Sequence, residues 1–356
     1  MPKFHNLKVK DVRRETEECV SVAFDLPPGL REAYEYLPGQ YLTLKAEIGG
    51  EEVRRSYSIC SSPSDGELRV AVKKVPGGRF STFANEQLKH GDTLEVMTPM
   101  GRFHNQPNPA NAKQYVAFAA GSGITPVRAI LKAVLEEEPR STFTLFYGNR
   151  GVDSIIFRED IEGLKNEYMG RLRIFHVLSR EKLGSPLFTG RITGEKAGLL
   201  CDKLIDLSQV DEFFLCGPQA MTDAITEVLK SKGVDRKKIH FELFTTGKAQ
   251  LPPQPKVQEK QADVEAKVTI VLDGNAMEFP LSSNAENILD GALKAGADLP
   301  YACKGGVCST CRAKVTAGEV YMDVNYALEP EEVEAGYVLT CQAHPKTDEV
   351  TVDFDA

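Results

Sequence analysis

Cys303-Lys-Gly-Gly-Val-Cys308-Ser-Thr-Cys311, followed thirty residues later by Cys341, is the stretch on which the organisation of this chain turns. C-x4-C-x2-C with one distant fourth cysteine is the plant-type [2Fe–2S] spacing. Such a cluster needs four thiolates, two on each iron, and a tight loop must deliver three of them. Gly305 and Gly306 suit that loop, because glycine accepts positive φ and lets backbone N–H groups approach sulfur. Structural zinc is the alternative, but zinc sites usually show two C-x2-C hooks, and here the second hook is a single cysteine.

The surrounding segment is acidic. From Ala262 to Ala356 there are 6 Lys+Arg against 17 Asp+Glu, a net of −11, whereas the rest of the chain is +3 and the whole is −8. This balance argues against nucleic acid and for docking between proteins or within the chain, with Glu329-Pro-Glu-Glu-Val-Glu334 as a candidate patch. The 356 residues, 42% hydrophobic and 26% charged, exclude a disordered chain and allow roughly two to three domains of about 100–200 residues. No apolar run approaches the roughly 18 residues of a membrane span, and no signal-peptide core opens the chain, so a cytoplasmic protein with no membrane partner is expected. Clustered cysteines in that compartment read as metal ligands rather than disulfides.

Upstream, the first hundred residues alternate as short strands (Phe4–Asp11, Cys19–Asp25, Gln40–Ala46, Glu52–Ile59, Glu67–Lys74, Thr93–Met97) between turns such as Pro38-Gly39 and Pro76-Gly77-Gly78. That rhythm suggests a small antiparallel barrel. Near residue 112 it changes to strands alternating with helices: strand Tyr115–Ala120, helix Pro126–Glu138, strands Thr142–Tyr147, Ile174–Leu178 and Glu212–Cys216, helix Ala220–Lys232. This implies a parallel sheet with right-handed crossovers. Gly247–Val264, with its prolines, glutamines and lysines, reads as a linker. Beyond it, a hairpin over Lys267–Leu281 and a helix over Ala285–Ala295 precede the cysteine loop. The expected domains are therefore 1–108, 109–246, a linker 247–264, and 265–356, in a multidomain fold: antiparallel β-barrel, α/β parallel-sheet nucleotide domain, and a C-terminal domain that resembles a β-grasp ferredoxin domain.

Five further motifs carry chemistry. Arg54-Arg55-Ser-Tyr57-Ser58 ends a barrel strand, and Gly77-Gly78-Arg79-Phe80-Ser81 follows about twenty residues on. Gly121-Ser-Gly123-Ile-Thr125-Pro126 joins a strand to a helix, whose N-terminus can face a pyrophosphate. Cys216-Gly217-Pro218 ends another strand, and Glu242-Leu-Phe244 closes the domain. Read singly, each could be an ordinary turn or strand end.

Together they resemble the ferredoxin–NADP reductase superfamily. The resemblance implies that Arg55 holds the flavin pyrophosphate, that Tyr57 lies against the flavin, and that Ser58 sits near its N5. It makes Gly78 and Ser81 a second phosphate element of the FAD type rather than FMN. Gly121, Gly123, Thr125 and Pro126 become the dinucleotide turn. Cys216, Gly217 and Pro218 come beside the nicotinamide, with Glu242 as a polar partner and Phe244 covering the flavin. Ser179-Arg180 is similar to the pair that grips a 2′-phosphate, and Arg150 and Arg191 could add charge, which implies NADPH. No acidic residue that would hold a free ribose 2′-hydroxyl is obvious at that strand end.

The C-terminal section resembles a plant-type ferredoxin, including Leu299-Pro-Tyr301 and Tyr337-Val-Leu-Thr-Cys341. The order barrel, nucleotide domain, ferredoxin resembles that of oxygenase reductases. Pro38-Gly-Gln40, Tyr147-Gly-Asn-Arg150 and Asn325-Tyr-Ala-Leu-Glu-Pro330 are similar to segments of the reductase subunits of phenylacetyl-CoA 1,2-epoxidases. This implies NADPH, FAD and a [2Fe–2S] cluster as carriers, and a diiron oxygenase component as partner. Reductases of ring-hydroxylating dioxygenases, demethylases or alkane hydroxylases, or an electron carrier with a non-oxygenase acceptor, are the alternatives. NADPH gives two electrons together and an iron oxygenase takes them singly, so a flavin must divide the pair and a cluster near roughly −400 mV must carry each one.

Overall fold

The computed structural model describes residues 3–182, 184–244 and 264–356. The expected linker lies outside these, apart from Val264. The described chain forms two units, one holding the nucleotide lobe and the barrel except Arg54–Ser56, and the other the C-terminal segment, which groups with Arg54–Ser56.

The barrel is built from β1 (Phe4–Thr16), β2 (Cys19–Asp25), β3 (Tyr41–Ile48), β4 (Glu51–Ser58), β5 (Leu68–Lys73) and β6 (Thr93–Met97), in the order β4-β3-β6-β1-β2-β5. β1 runs past Asp11, where the sequence suggested a stop, because it serves two partners. Phe4–Lys8 pairs with β6, and Lys8–Thr16 pairs with β2 across an irregularity at Val9/Asp11. An Ile59↔Val70 bridge and the Cys60 N–H on the Arg69 carbonyl (2.8 Å) tie the β4 end back to β5. Alternating side chains fill the interior, with Leu7, Val9, Val22, Leu42, Leu44, Val70, Val72 and Val96 fully buried. Helix α1 (Arg79–Glu86) starts directly after Gly78.

The nucleotide lobe runs β7 (Gln114–Ala120), α2 (Ile124–Glu137), β8 (Thr142–Asn149), α3 (Arg158–Glu167), β9 (Leu172–Leu178), α4 (Gly194–Leu204), β10 (Glu212–Gly217), α5 (Gln219–Ser231) and β11 (Ile239–Leu243). Its sheet is parallel in the order β11-β10-β7-β8-β9. β7 is central and apolar on both faces. Tyr115, Ala117 and Ala119 join one core, Val116 and Phe118 the other, as a parallel strand covered by helices requires. The chain leaves β7 towards β8 and β9, then returns on the other side to β10. The β7–β10 boundary is therefore the topological switch point, where open α/β sheets bind ligands at the carboxyl ends of their strands.

The C-terminal unit has β12 (Glu265–Leu272) and β13 (Asn275–Ser282) as a hairpin, α6 (Ile288–Lys294), β14 (Arg312–Ala317), β15 (Val320–Met322), α7 (Pro330–Glu334), β16 (Tyr337–Leu339), β17 (Ala343–Pro345) and β18 (Glu349–Asp353). Asp273 and Gly274 both take positive φ at the hairpin turn (52° and 70°), as a two-residue primed turn needs. α6 begins three residues later than the sequence suggested, because the Asn287 side chain caps it by accepting from Asp290 N–H at 2.9 Å. β12 and β18 pair in parallel at the centre of a five-stranded sheet. No helix among the described residues is long and apolar enough to cross a membrane.

Candidate active site and metal centre

The two glycine turns meet at the switch point. A Cβ on Gly123, at the head of α2, would lie 2.1 Å from the carbonyl oxygen of Cys216. A Cβ on Gly217 would lie 2.7 Å from Met221 Cε and 3.2 Å from Ala120 Cβ. Side chains there would force the ends of β7 and β10 apart. Gly121 takes φ +54°, and Thr125 donates its hydroxyl to the Ser122 carbonyl at 3.0 Å, which tightens the turn. Pro126 is buried in the first turn of α2, which has no side-chain cap at its N-terminus.

Beside these turns the chain gathers three groups from distant positions. Cys216 and Glu242 are register partners on β10 and β11, and Ser58 Oγ, at the end of β4, donates to Glu242 Oε2 at 2.9 Å. Burial pushes the Glu242 carboxyl up to about 8 against the Ser58 hydrogen bond. Burial, followed by the Glu242 charge, pushes the Cys216 thiol up, so Cys216 stays a neutral thiol. The Phe244 N–H bonds the Gly217 carbonyl at 3.2 Å, and its ring packs against the core that holds Cys216. Pro218 is exposed just before α5.

On the barrel side, Tyr57 is half-buried with its ring 5.5 Å from that of Phe80. Arg55 is exposed, with Nη1 on the Arg54 carbonyl at 2.6 Å. Ser81 is buried; its Oγ accepts from Val75 N–H at 3.1 Å and donates to the Gly78 carbonyl at 3.3 Å. A Cβ on Gly78 would meet that Oγ at 2.5 Å. Ser81 therefore braces the turn, and Gly77 with φ +72° and the uncapped N-terminus of α1 leave backbone N–H groups for a phosphate. An available cation, a half-buried aromatic face and a glycine cradle at a helix start fit a flavin with its pyrophosphate.

The ends of β8 and β9 bring together the expected 2′-phosphate residues. Ser179 N–H bonds the Asn149 carbonyl at 2.9 Å, and Arg180 N–H the Arg150 carbonyl at 2.8 Å. Arg150 and Arg180 are exposed, and Arg150 pairs with Glu18 at 3.7 Å. Two residues here were not found from the sequence. Lys73, at the end of β5, brings Nζ to 3.7 Å from where a Cβ on Gly121 would sit, a cation lent by the barrel to the glycine turn. Glu181 places its carboxylate at the very strand end read as free of acids, accepting Val152 N–H at 2.7 Å. The signal for Glu181 was its place directly after Ser179-Arg180.

In the C-terminal unit the four candidate ligands fall into two touching pairs, Cys303 with Cys308 and Cys311 with Cys341. Among the described residues no three His, Cys, Asp or Glu side chains converge on one point; the thiols are paired, two to each of two sites. The Cys308 thiol, then backbone N–H groups led by Gly305, pull the Cys303 thiol down. Contact with Cys311 lowers Cys341. Gly305 N–H points at Cys303 Sγ (3.3 Å) and the Thr310 hydroxyl at Cys308 Sγ (3.1 Å). Gly306 has the expected positive φ of 74°, but its companions are Lys304 (50°) and Ser309 (53°) rather than Gly305. Paired thiols with N–H and O–H donors aimed at sulfur fit a [2Fe–2S] cluster.

Residues 6–105 match the oxidoreductase FAD-binding domain, 118–227 the oxidoreductase NAD-binding domain and 270–346 the 2Fe-2S iron-sulfur cluster binding domain. The chain is 50% identical over 356 residues, 100% of its length and 99% of the relative's, to the E subunit of 1,2-phenylacetyl-CoA epoxidase from Escherichia coli K12. It is 33% identical to the ferredoxin reductase component of 3-ketosteroid-9-alpha-monooxygenase from Rhodococcus rhodochrous, over 98% of this chain and 96% of that one. Among solved structures, phthalate dioxygenase reductase shares the fold with a TM-score of 0.53 and 22% identity, covering 99% of this chain and 98% of its own.

Proposed function

The chain belongs to the family of FAD- and NAD-binding oxygenase reductases that end in a 2Fe-2S domain, and from that premise we propose that it draws electrons from NADPH and delivers them singly to the diiron oxygenase that epoxidises phenylacetyl-CoA. The observation that carries the reading is the joining, in one chain, of the Ser58–Glu242–Cys216 group with two thiol pairs. The partner rests on the full-length similarity to the E. coli epoxidase component. We place the reaction in the cytoplasm, where thiolate ligands stay reduced.

FAD when bound accepts two electrons as hydride and gives them up one at a time, and a [2Fe–2S] cluster carries one. The protein supplies position and electrostatics. Arg55 and the N-terminus of α1 hold the flavin phosphates, and Tyr57 and Phe244 present aromatic faces to its ring. Gly121, Gly123 and the start of α2, with Lys73, receive the pyrophosphate of the dinucleotide. Ser179, Arg180 and Arg150 receive the 2′-phosphate and favour NADPH. Cys216 and Glu242 stay neutral at pH 7, so no negative charge opposes the incoming electron pair, and Ser58 keeps its hydroxyl fixed by Glu242. Cys303, Cys308, Cys311 and Cys341 hold the cluster.

Reconstitution tests the proposal. Holoprotein with NADPH should support epoxidation of phenylacetyl-CoA by the cognate oxygenase, with product matched to NADPH consumed. An oxygenase that turns over with another reductase but not with this one removes the partner assignment and leaves the reductase assignment standing.

A further inference from the structure

Glu181 follows Ser179-Arg180 directly, and its carboxylate folds back onto the neighbouring strand end. Oε1 accepts Val152 N–H at 2.7 Å, and a Cβ on Gly151 would lie 2.2 Å from that oxygen and 3.2 Å from Glu181 Cδ. Beside this side-chain link run the two backbone bonds Ser179 N–H to Asn149 and Arg180 N–H to Arg150, at 2.9 and 2.8 Å. Segment 149–152 is thus laced to segment 179–181, and each segment carries one exposed arginine.

Two long side chains that must close on one phosphate lose rotamer freedom, and the cost grows if the segments that carry them also move. Arg150 already pairs with a competing carboxylate, Glu18 at 3.7 Å, so a loosened 150–152 segment would leave that pair free to hold the guanidinium away from a phosphate. The Glu181 carboxylate is itself spent on Val152 N–H, which keeps one of its oxygens bound to the loop rather than turned at the anion.

We propose that Glu181 is a positioning residue for the 2′-phosphate of the dinucleotide: by holding Val152 N–H it fixes Arg150 beside Ser179 and Arg180, and so sets the preference for NADPH over NADH. This rests on the assignment of Ser179 and Arg180 to the 2′-phosphate.

The test uses full-length holoprotein and calorimetric titration with 2′,5′-ADP and with 5′-AMP, alongside KM for NADPH and NADH. Glu181→Ala is expected to weaken 2′,5′-ADP relative to 5′-AMP by about tenfold, the scale of one hydrogen bond to a charged group, and to raise KM for NADPH more than KM for NADH. Glu181→Gln keeps an amide oxygen for Val152 N–H and is expected to restore the ratio. An unchanged ratio in Glu181→Ala overturns the proposal, as does a Glu181→Gln protein no better than the alanine variant. Arg180→Ala separates the two levels. If it leaves 2′,5′-ADP binding intact, the phosphate assignment fails. If it weakens binding while Glu181→Ala does not, only the positioning role fails.

Discussion

Ser58 Oγ, at the end of the fourth barrel strand, donates to Glu242 Oε2, on the last strand of the nucleotide sheet, at 2.9 Å. A hydrogen bond spanning 184 positions of sequence ties the end of a barrel strand to the last strand of the nucleotide sheet. The carboxyl it ends on is held up to about 8 by burial.

That value gives Glu242 a testable pH signature. A raised folded pKa means the folded state keeps its proton where the unfolded chain has lost it. The resulting stability is fully present below about 4.5 and is lost as pH rises to about 8. Relative to Glu242→Gln, wild-type protein should lose up to about 1.4 kcal/mol per pH unit across that window and no more above it, measured by denaturant unfolding from pH 5 to 9. Hydride transfer in wild type should slow above pH 8, while the glutamine variant stays flat. Ser58→Ala should slow flavin reduction by NADPH roughly tenfold to a hundredfold through lost alignment.

Arg128 ties the two lobes. From α2 its Nε and Nη2 bind Asp160 at 2.6 and 2.9 Å, Nη1 reaches the Cys60 carbonyl, and Asp65 lies 3.5 Å away beside Lys132. Arg128→Ala should cost about 3 kcal/mol, the lower end for breaking a mostly buried ion pair, seen as a lower unfolding midpoint. Lys132→Ala, at a side chain more exposed than that of Arg128 (19% against 11%), should cost less.

Lys73 should contribute to a phosphate group that both dinucleotides share. Lys73→Met should therefore raise KM for NADPH and NADH by a similar factor, about tenfold for a lost charge-assisted contact, and flatten the salt dependence of both. A change confined to NADPH would place Lys73 at the 2′-phosphate instead.

The thiol pairs separate ligand from bystander cysteines. Cys308→Ser should abolish the visible absorbance and the EPR signal of the reduced cluster while NADPH still bleaches the flavin. Cys201→Ser, in the core of the nucleotide lobe, should keep both signals.

Much of this molecule could be read from residue spacing, and the exceptions share a cause. The C-x4-C-x2-C loop, the Gly121–Pro126 turn and the Arg55–Ser58 strand end are local, so each shows as a run of consecutive residues. The β2 and β6 strands carry such regular apolar patterning that their limits fall where the structure places them. Helix α3 is not legible in the sequence because Arg-Glu-Asp-Ile-Glu-Gly-Leu-Lys-Asn-Glu buries Ile161 and Leu164 alone, too narrow a stripe to show a helical period. The second half of β1 is not legible in the sequence because it is polar and is held by pairing with β2. Lys73 and Glu181 were missed because each acts across a gap in sequence, Lys73 from the barrel and Glu181 through the amide of Val152. Lys304 rather than Gly305 takes the left-handed turn, a reminder that a glycine pair does not say which neighbour bends.

The most direct measurement is anaerobic rapid mixing of the holoprotein with NADPH, followed by flavin absorbance and by freeze-quenched EPR. Flavin bleaching is expected first, and the rhombic signal of a reduced [2Fe–2S] cluster is expected after it, in wild type but not in Cys308→Ser. Flavin reduction with no cluster signal, in protein whose cluster dithionite readily reduces, would contradict the proposed path from NADPH to the thiol-bound cluster.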